Sequence, residues 1–413
     1  MTDNNVIQLS SPVTDLLGDV LKQGAQQLLA KAIEAEVAML LAEYQDQKTD
    51  GVQSVVRNGY LPERKIQTGL GELPVKVPKI RDRSGQGIKF NSALIPPYLK
   101  RSKAMEEFIP WLYLKGISTG DMQPALESLL GKGTKGLSAN TVSRLKQSWE
   151  DDYDQWRKRD LSKRRFVYIW ADGVYCNVRM DDRLCLLVVI GSDDTGRKEV
   201  LAIVDGVRES EASWTEVMEQ LDNQGLQMPP KLATGDGALG FWKALTKKWP
   251  STKQQRCWVH KTANVLNKVP KSVQPKIKEA LHDIWMAETR EAAYKSYDSC
   301  VKRFEDKYPG AMKCLTKDKA SMLAFYDFPA AHWQHIRTSN PIESVFATVR
   351  LRTTKVKNCG NRKTTLSMAY KLMITAQRKW QRLRGYKLLA DVVEGVEFRN
   401  GVRVENDQLQ HTA

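Results

Sequence analysis

Two aspartates stand where a strand-like apolar run meets a glycine. Asp172 follows the run 166–171 and precedes Gly173, and Asp236 lies within Thr234-Gly235-Asp236-Gly237. Side chains at strand ends in an α/β sheet gather at one crevice, and glycine leaves the backbone open to a metal ion or a phosphate. An Asp-Gly pair also marks an ordinary turn, but a buried carboxylate is costly without a cation. The pattern therefore predicts that both aspartates bind a metal ion.

A third carboxylate, Glu343, begins the basic C-terminal part of the chain. Residues 337–387 hold thirteen Lys or Arg and this single acid, a net charge of +12. Asn340-Pro341-Ile342-Glu343 is also typical of a helix start, with Asn as the cap and Pro in the first helical position. Capping and metal binding are compatible. Three carboxylates in one crevice are what two-metal phosphoryl transfer requires, because each Mg²⁺ needs anionic oxygen ligands.

The helix that starts near Pro341 carries a basic flank. At about 100° per residue, Glu343, Arg350 and Lys357 fall on one side of its apolar stripe. This flank predicts contacts with DNA phosphates, and the prediction extends to two neighbours, Arg352 and Lys355. A solvated charged face is the alternative interpretation. The net charge of the whole chain is +16, which favours nucleic acid, the commonest intracellular polyanion, as a partner.

Composition limits the class of protein. Of the 413 residues, 41% are hydrophobic and 27% are charged, as in ordinary globular proteins. The longest apolar run, 184–190, is too short to span a bilayer, and no secretory signal stands at the N-terminus. Six cysteines without a C-x-x-C pair fit a reducing compartment. These features predict a soluble cytoplasmic protein.

Residues 166–259 alternate between strand and helix patterns. Three runs joined by short polar turns predict an antiparallel meander, at 166–178, 184–190 and 200–204. Helices at 213–223 and 238–248 then alternate with strands that end at Thr234 and Val259. This order predicts an α/β sandwich of the ribonuclease H type.

Helical patterns precede this core. Residues 13–44 carry apolar side chains at three- and four-residue spacing, which predicts an amphipathic helix for core packing or self-association. Residues 73–79 alternate like a short edge strand. Ser138 opens a short helix that is typical of a helix-turn-helix recognition helix. Its predicted DNA contacts are Ser138, Asn140, Thr141 and Arg144. A three-helix bundle without DNA contact is the alternative.

These patterns predict a multidomain α+β chain. Its helical N-terminal and helix-turn-helix DNA-binding regions precede a ribonuclease H-like α/β catalytic core, which an all-helical insertion interrupts. The expected domains are an N-terminal helical region with a small β segment for DNA binding or self-association (1–100), the helix-turn-helix-like domain (101–163), the first part of the core (164–262), the insertion (263–335) and the C-terminal helical part of the core with its DNA-contacting face (336–413).

The chain resembles the bacterial Mutator-type insertion-sequence transposases over essentially its whole length. The resemblance rests on Asp172, Asp236 and Glu343, with a helical insertion between the last two. Further motifs that carry it are Arg57-Asn58-Gly59-Tyr60, Tyr113-Leu114-Lys115-Gly116-Ile117-Ser118-Thr119, Cys257-Trp258-Val259-His260 and, most specifically, residues 340–353. Phe346-Ala347 departs from the Leu-Asn that is frequent in the family.

The resemblance implies a DDE catalytic triad of Asp172, Asp236 and Glu343 that binds two Mg²⁺ ions, with Mn²⁺ as a substitute. It also implies recognition of terminal inverted repeats, cleavage and strand transfer into target DNA, and at least a dimer when two ends are brought together. The bacterial nucleoid is the implied location. A metal-dependent nuclease without strand transfer and a non-catalytic helix-turn-helix regulator are the alternatives.

Cys257 and His260 form a C-x-x-H pair. As a zinc site it is incomplete, because four ligands are needed and no other Cys or His pair stands nearby in the sequence. A buried Cys with a hydrogen-bonded His is the plain interpretation, while the resemblance implies a position close to the active site, where His260 meets a phosphate. In the insertion, Trp285 and Trp333 either stack on an extruded base or pack the helical core, and we expect packing.

Overall fold

The structure, a computed structural model, describes residues 16–131, 134–136, 138–177, 183–355 and 361–404. The chain is a mixed α/β protein that divides into two compact units, Met1–Val142 and Ser143–Ala413. The finer division into five domains stays a prediction. In the described part of the chain, no helix has the length and apolar character that crossing a membrane requires.

The first unit contains the long N-terminal helix that the leucine spacing predicts, α1 (Leu16–Glu43). Short strands follow: β1 (Lys48–Thr49), β2 (Val52–Gln53), β3 (Val55–Tyr60), β4 (Arg64–Thr68), β5 (Gly71–Val75) and β6 (Pro78–Asp82). β3 pairs with β6, and β4 pairs with β5. The single edge strand predicted at 73–79 is wrong, because the chain changes partners between Val75 and Pro78. Ile33 and Val37 of α1 are buried among residues of these strands.

Three further helices are α2 (Lys103–Lys115), α3 (Thr119–Leu130) and α4 (Ala139–Trp156). Ser138 Oγ accepts a hydrogen bond from the Thr141 N–H at 3.3 Å, which agrees with its predicted capping role. The helix it opens is not short, however, but 18 residues long. Its apolar spacing continues through Trp149 and Tyr153, which are buried. A helix-turn-helix arrangement of α2 to α4 stays a prediction.

A central sheet organises the second unit. Its strands are β7 (Phe166–Asn177), β8 (Arg183–Asp193), β9 (Lys198–Gly206), β10 (Leu232–Gly235) and β11 (Lys253–Arg256), in the order β11–β10–β7–β8–β9 among the described residues. β7, β8 and β9 are antiparallel neighbours, which confirms the predicted meander. β10 is parallel to both β7 and β11. The last predicted strand ends three residues early, because Val259 already belongs to a helix.

Helices cover both faces of this sheet. The predicted helices α5 (Glu211–Asn223) and α6 (Leu239–Lys248) pack on one face, where Trp214 and Phe241 share a buried cluster with Ile169 and Ala171 of β7. Side chains alternate along a strand, so Trp170 points to the other face. There its indole N–H donates to the carbonyl oxygen of His335 at 2.9 Å.

The segment after β11 is helical, as predicted for the insertion at 263–335. It contains α7 (Trp258–Leu266), α8 (Gln274–Trp285), α9 (Arg290–Phe304), α10 (Pro309–Thr316), α11 (Lys319–Met322) and α12 (Trp333–Ile336). The chain continues with α13 (Asn340–Lys355), α14 (Arg362–Gln377), α15 (Leu389–Glu394) and a small hairpin of β12 (Phe398–Arg399) and β13 (Val402–Arg403). α13 packs along β7, and its apolar residues Ile342, Val345, Phe346 and Val349 are buried.

Candidate active site

Asp172 lies inside β7, whereas the sequence placed it at a strand end. On one side it pairs with Val188 in the antiparallel ladder with β8. On the other side, the parallel pairing of β7 with β10 has already stopped at Ala171. Asp172 is therefore the first residue of β7 beyond the end of β10. Its side chain is 8% exposed, and its Oδ1 accepts a hydrogen bond from the Gly173 N–H at 2.8 Å.

Asp236 follows β10 directly, beside β7 in the sheet. Its Oδ1 accepts a hydrogen bond from the Ala238 N–H at 2.7 Å. Its carbonyl oxygen accepts two more, from Trp242 Nε1 at 2.9 Å and from Arg256 Nη1 at 2.6 Å. The Asp236 backbone is thus held from α6 and from β11, which fixes the position from which its carboxylate reaches Asp172.

A further acid, Glu209, completes this group, and sequence reasoning missed it. It lies between β9 and α5, and carboxylate oxygens of Asp172, Glu209 and Asp236 lie within 4.8 Å of one another. The Glu209 side chain rests against Gly173, where a Cβ atom would come 2.7 Å from the carboxyl carbon. Only its position just after a strand could have pointed to it, because an acid beside the helix cap Ser210 is otherwise ordinary.

Glu343 approaches the site from α13, on the far side of His260. α13 begins at Asn340, whereas the capping interpretation made Asn340 the cap and Pro341 the first helical residue. Glu343 Oε1 accepts a hydrogen bond from Ser339 Oγ at 3.2 Å. His260 Nε2 lies 3.9 Å from Asp172 Oδ2 and 3.7 Å from Glu343 Oε1. The three predicted acids are therefore neighbours, with His260 between Asp172 and Glu343.

Ser339 ties the C-x-x-H pair to this site. Its N–H donates to the Cys257 sulfur at 3.2 Å, and its Oγ lies 3.2 Å from the same sulfur and 3.3 Å from His260 Nδ1. Ligand atoms of Cys257, His260 and Glu343 lie within 4.8 Å of one another. Three ligands fall short of the four in a structural zinc site. Cys257 is buried and His260 is hydrogen-bonded, as the plain interpretation predicts. His260 also lies beside Asp172 and Glu343, as the resemblance implies.

Burial and mutual repulsion shape the electrostatics of the acids. Burial raises the pKa of Asp172 to about 6, with His260 opposing and Asp236 adding to the shift. The pKa of Glu209 is raised to about 7, mainly by burial and further by the nearby charges of Asp236 and Asp172. The contact with Cys257, assisted by Asp172 and Glu343, raises the pKa of His260 to about 9 against the effect of burial. Crowded carboxylate oxygens suit a hard divalent cation, whose charge removes their repulsion, so the donor set fits Mg²⁺.

The predicted DNA contacts near the middle of the chain lie at the start of α4. Asn140 and Arg144 are exposed there, Thr141 is half-buried, and Ser138 precedes the helix with its side chain exposed. Their exposure leaves them accessible to a ligand. Contact with DNA stays a prediction for all four.

The predicted contacts on α13 do not share one surface. Arg350 is exposed, with its guanidinium 5.9 Å from the centre of the Phe346 ring. Arg352 is 2% exposed, because it follows Val349 by three residues and so lies on the apolar side of the helix. This burial argues against a contact with a DNA phosphate, and the DNA-contacting role of Arg352 stays a prediction. The side chain of Lys355 and all of Lys357 lie outside the described residues.

The two tryptophans of the helical segment pack against other aromatic rings. Trp285 packs against Trp258 in a tilted arrangement with ring centres 5.2 Å apart, and Trp333 packs edge-to-face against Tyr326 with ring centres 4.8 Å apart. The indole N–H of Trp333 also donates to the carbonyl oxygen of Phe328 at 2.8 Å. These contacts confirm the expected packing role.

Comparison with known proteins gives consistent matches. The family model described as "Transposase, Mutator family" matches residues 2–383. The transposase for insertion sequence element IST2 of Acidithiobacillus ferrooxidans is 47% identical over 288 residues, 68% of this chain and 95% of that protein. The transposase for element IS6120 of Mycolicibacterium smegmatis is 46% identical over 302 residues, 73% and 93% of the two chains. The transposase for element IS1081 of Mycobacterium tuberculosis is 27% identical over 396 residues, 94% and 92% of the two chains.

Proposed function

Because this chain belongs to the Mutator family of transposases, we propose that it cleaves DNA at the ends of an insertion sequence and joins the freed ends to target DNA. Asp172, Asp236 and Glu343 form the proposed catalytic triad. One observation carries the proposal: acids from two neighbouring parallel strands meet in one place, and a single imidazole links them to the acid of α13.

The architecture of the second unit supports a ribonuclease H-like core. Three antiparallel strands, β7 to β9, are followed by β10 and β11 on the open side of β7, so β7 is central in the sheet. Helices cover both faces, and the helical segment from α7 to α12 stands between β11 and α13 as the proposed insertion. We assign the region of α2 to α4 as the helix-turn-helix-like module that recognises terminal inverted repeats.

Each residue of the site has a distinct proposed task. Asp172 and Asp236 hold cations from the sheet, and Glu343 holds them from α13. Bound Mg²⁺, or Mn²⁺ in its place, supplies Lewis-acid activation of the attacking oxygen and stabilises the leaving oxygen. His260 lies between Asp172 and Glu343, and its Nε2 offers a hydrogen bond to a phosphate oxygen beside the acids.

DNA is the proposed substrate and partner. Terminal repeats and target DNA are both polyanions, which agrees with the net charge of +16. Joining two ends of one element brings two active sites together, so we propose a homo-oligomer that is at least a dimer on DNA.

The full-length protein should bind a duplex carrying the ends of its own element more tightly than a scrambled duplex. With Mg²⁺ or Mn²⁺ it should nick that duplex and join the freed 3′ end to a second DNA, and chelation should stop both reactions. Gel shift and denaturing gels of labelled strands measure the three steps. Nicking without a joined product would favour a nuclease instead. Specific binding without any metal-dependent chemistry would favour a regulator.

Arg350→Ala should flatten the salt dependence of DNA binding. Each phosphate contact contributes roughly one unit to the slope of log affinity against log salt, so loss of one contact lowers the slope by about that amount. Titrations at several salt concentrations measure it. Arg303→Ala, which removes an exposed arginine of α9, is the matched control and should leave the slope unchanged. An equal change in both variants would mean a general charge effect, and no change in Arg350→Ala would make it a solvated residue.

A further inference from the structure

Glu209 reaches the acids from a part of the sheet that does not adjoin them. It follows β9, which is separated from β7 by β8 in the sheet, and it precedes the helix cap Ser210 of α5. The start of α6 lies directly on this segment: a Cβ at Gly240 would come 2.5 Å from the Ser210 carbonyl carbon and 2.8 Å from the Glu209 carbonyl oxygen. A glycine at this point of α6 thus lets the backbone of Glu209 approach the loop that carries Asp236.

A second glycine admits the Glu209 side chain. A Cβ at Gly173 would meet the Glu209 Cγ, Cδ and Oε1 atoms at 2.7 to 2.8 Å, and these are the nearest atoms to that position. Such distances are well inside van der Waals contact. Gly240 therefore leaves room for the backbone of Glu209, and Gly173 leaves room for its side chain.

The contacts of Glu209 differ from those of a structural surface acid. The nearby Glu211 pairs with Lys243 Nζ at 3.2 Å and with Lys247 Nζ at 2.7 Å. Within the described residues, no Lys, Arg or His nitrogen lies within 4 Å of the Glu209 carboxylate. Its close charged neighbours are instead Asp172 and Asp236. The repulsion between carboxylates gathered this closely is relieved by a bound cation or by a proton.

We propose that Glu209 is a fourth acidic residue of the active site, which binds a divalent cation together with Asp172 and Asp236. The proposal rests on the function proposed above, because it assigns a further ligand to the same metal site. In this arrangement Asp172, Glu209 and Asp236 lie on the sheet side of His260, and Glu343 lies on the α13 side. Each cation needs several oxygen ligands, and Glu209 supplies oxygens that the triad alone does not.

Mn²⁺ affinity of the full-length protein, measured by the electron paramagnetic resonance signal of free Mn²⁺, tests this assignment without relying on activity. Glu209→Gln should weaken binding at least about tenfold, the lower end of the loss seen when metal sites lose a supporting partner. Glu216→Gln removes an exposed acid of α5 and should bind Mn²⁺ as the unmodified protein does. Glu209→Gln should melt at the same or a higher temperature in chelator, because one like charge is removed.

Asp172→Asn separates failure of this inference from failure of the proposed function. If Asp172→Asn weakens Mn²⁺ binding but Glu209→Gln does not, the site stands and the role of Glu209 is overturned. If neither variant affects binding, the metal site itself is overturned, together with the proposed function.

Gly173→Ala provides an independent test that removes no charge. Its new methyl group should displace the Glu209 side chain and weaken Mn²⁺ binding in the unmodified background. In a Glu209→Ala background the methyl group has room, so the same substitution should have little further effect. This non-additivity is expected for residues in direct contact. Additive losses from the two substitutions would show that Gly173 acts without Glu209 and would count against the proposal.

Discussion

Asp172→Asn should lower the rates of DNA cleavage and joining at least about a thousandfold while leaving binding to the element ends nearly unchanged. The substitution keeps the volume of the side chain but removes an anionic ligand. Metal-ion catalysis supplies several kcal/mol of transition-state stabilisation, and about 4 kcal/mol corresponds to three factors of ten in rate. Asp236→Asn and Glu343→Gln should have effects of the same order. Single-turnover rates at saturating protein measure the chemical step.

The control for these variants is Asp194→Asn. Asp194 is an exposed acid in the turn between β8 and β9, and its substitution should leave the rates unchanged. Normal cleavage and joining by Glu343→Gln would contradict the triad. The contact of Glu343 with Ser339 Oγ would then be structural, and the sheet acids with Glu209 would be sufficient for chemistry.

Asp318→Asn should lower the free energy of unfolding by about 3–5 kcal/mol, because it leaves buried cations without their counter-charge. Lys261 Nζ donates to Asp318 Oδ2 at 2.6 Å, and the two side chains are 9% and 16% exposed. Arg256 Nη2 lies 3.8 Å from the other oxygen of Asp318. Since Arg256 also holds the Asp236 carbonyl, cleavage should slow as well. Urea denaturation and single-turnover rates measure the two effects.

An exposed ion pair on the same helical segment gives the matched comparison. Asp298 pairs with Lys319, and its side chain is 69% exposed. Asp298→Asn should change the unfolding free energy by no more than about 1 kcal/mol. Adding Lys261→Met to Asp318→Asn should recover part of the lost stability, because one unpaired buried charge disappears. A loss below about 1 kcal/mol for Asp318→Asn alone would mean that water reaches these cations.

Local patterns predicted the elements of the core well because each signal lies within a few residues. Apolar runs between polar turns predicted the meander, and glycine beside an acid predicted Asp172 and Asp236. The point at which a strand extends beyond a neighbouring strand depends on the whole sheet, so it cannot be predicted from local sequence. For this reason Asp172 proved to lie within β7, at the point where the parallel pairing with β10 stops.

Glu209 and Arg352 show what local patterns could not predict. Glu209 comes close to Asp172 and Asp236 where the start of α6 packs at Gly240 against the segment before α5, a contact between distant parts of the chain. Arg352 was assigned to a DNA-contacting face as a charged neighbour of Arg350, although it follows Val349 by three residues and its side chain is buried. Charge alone does not tell which side of a helix a residue occupies. The same limit applies to the predicted contacts on α4.

α13 carries the last acid of the proposed triad on the same helix that covers one face of β7. A nonsense codon between the end of β11 and Asn340 would therefore remove Glu343 and at the same time uncover the part of β7 on which α13 packs. Such a truncated copy would be an aggregating, short-lived polypeptide rather than a folded dominant-negative competitor for the ends of the element. A missense change at Glu343 would behave in the opposite way, since the helix and its apolar side remain. For the genome that carries the element, point mutation of the acid and loss of the C-terminus are thus different routes to silence.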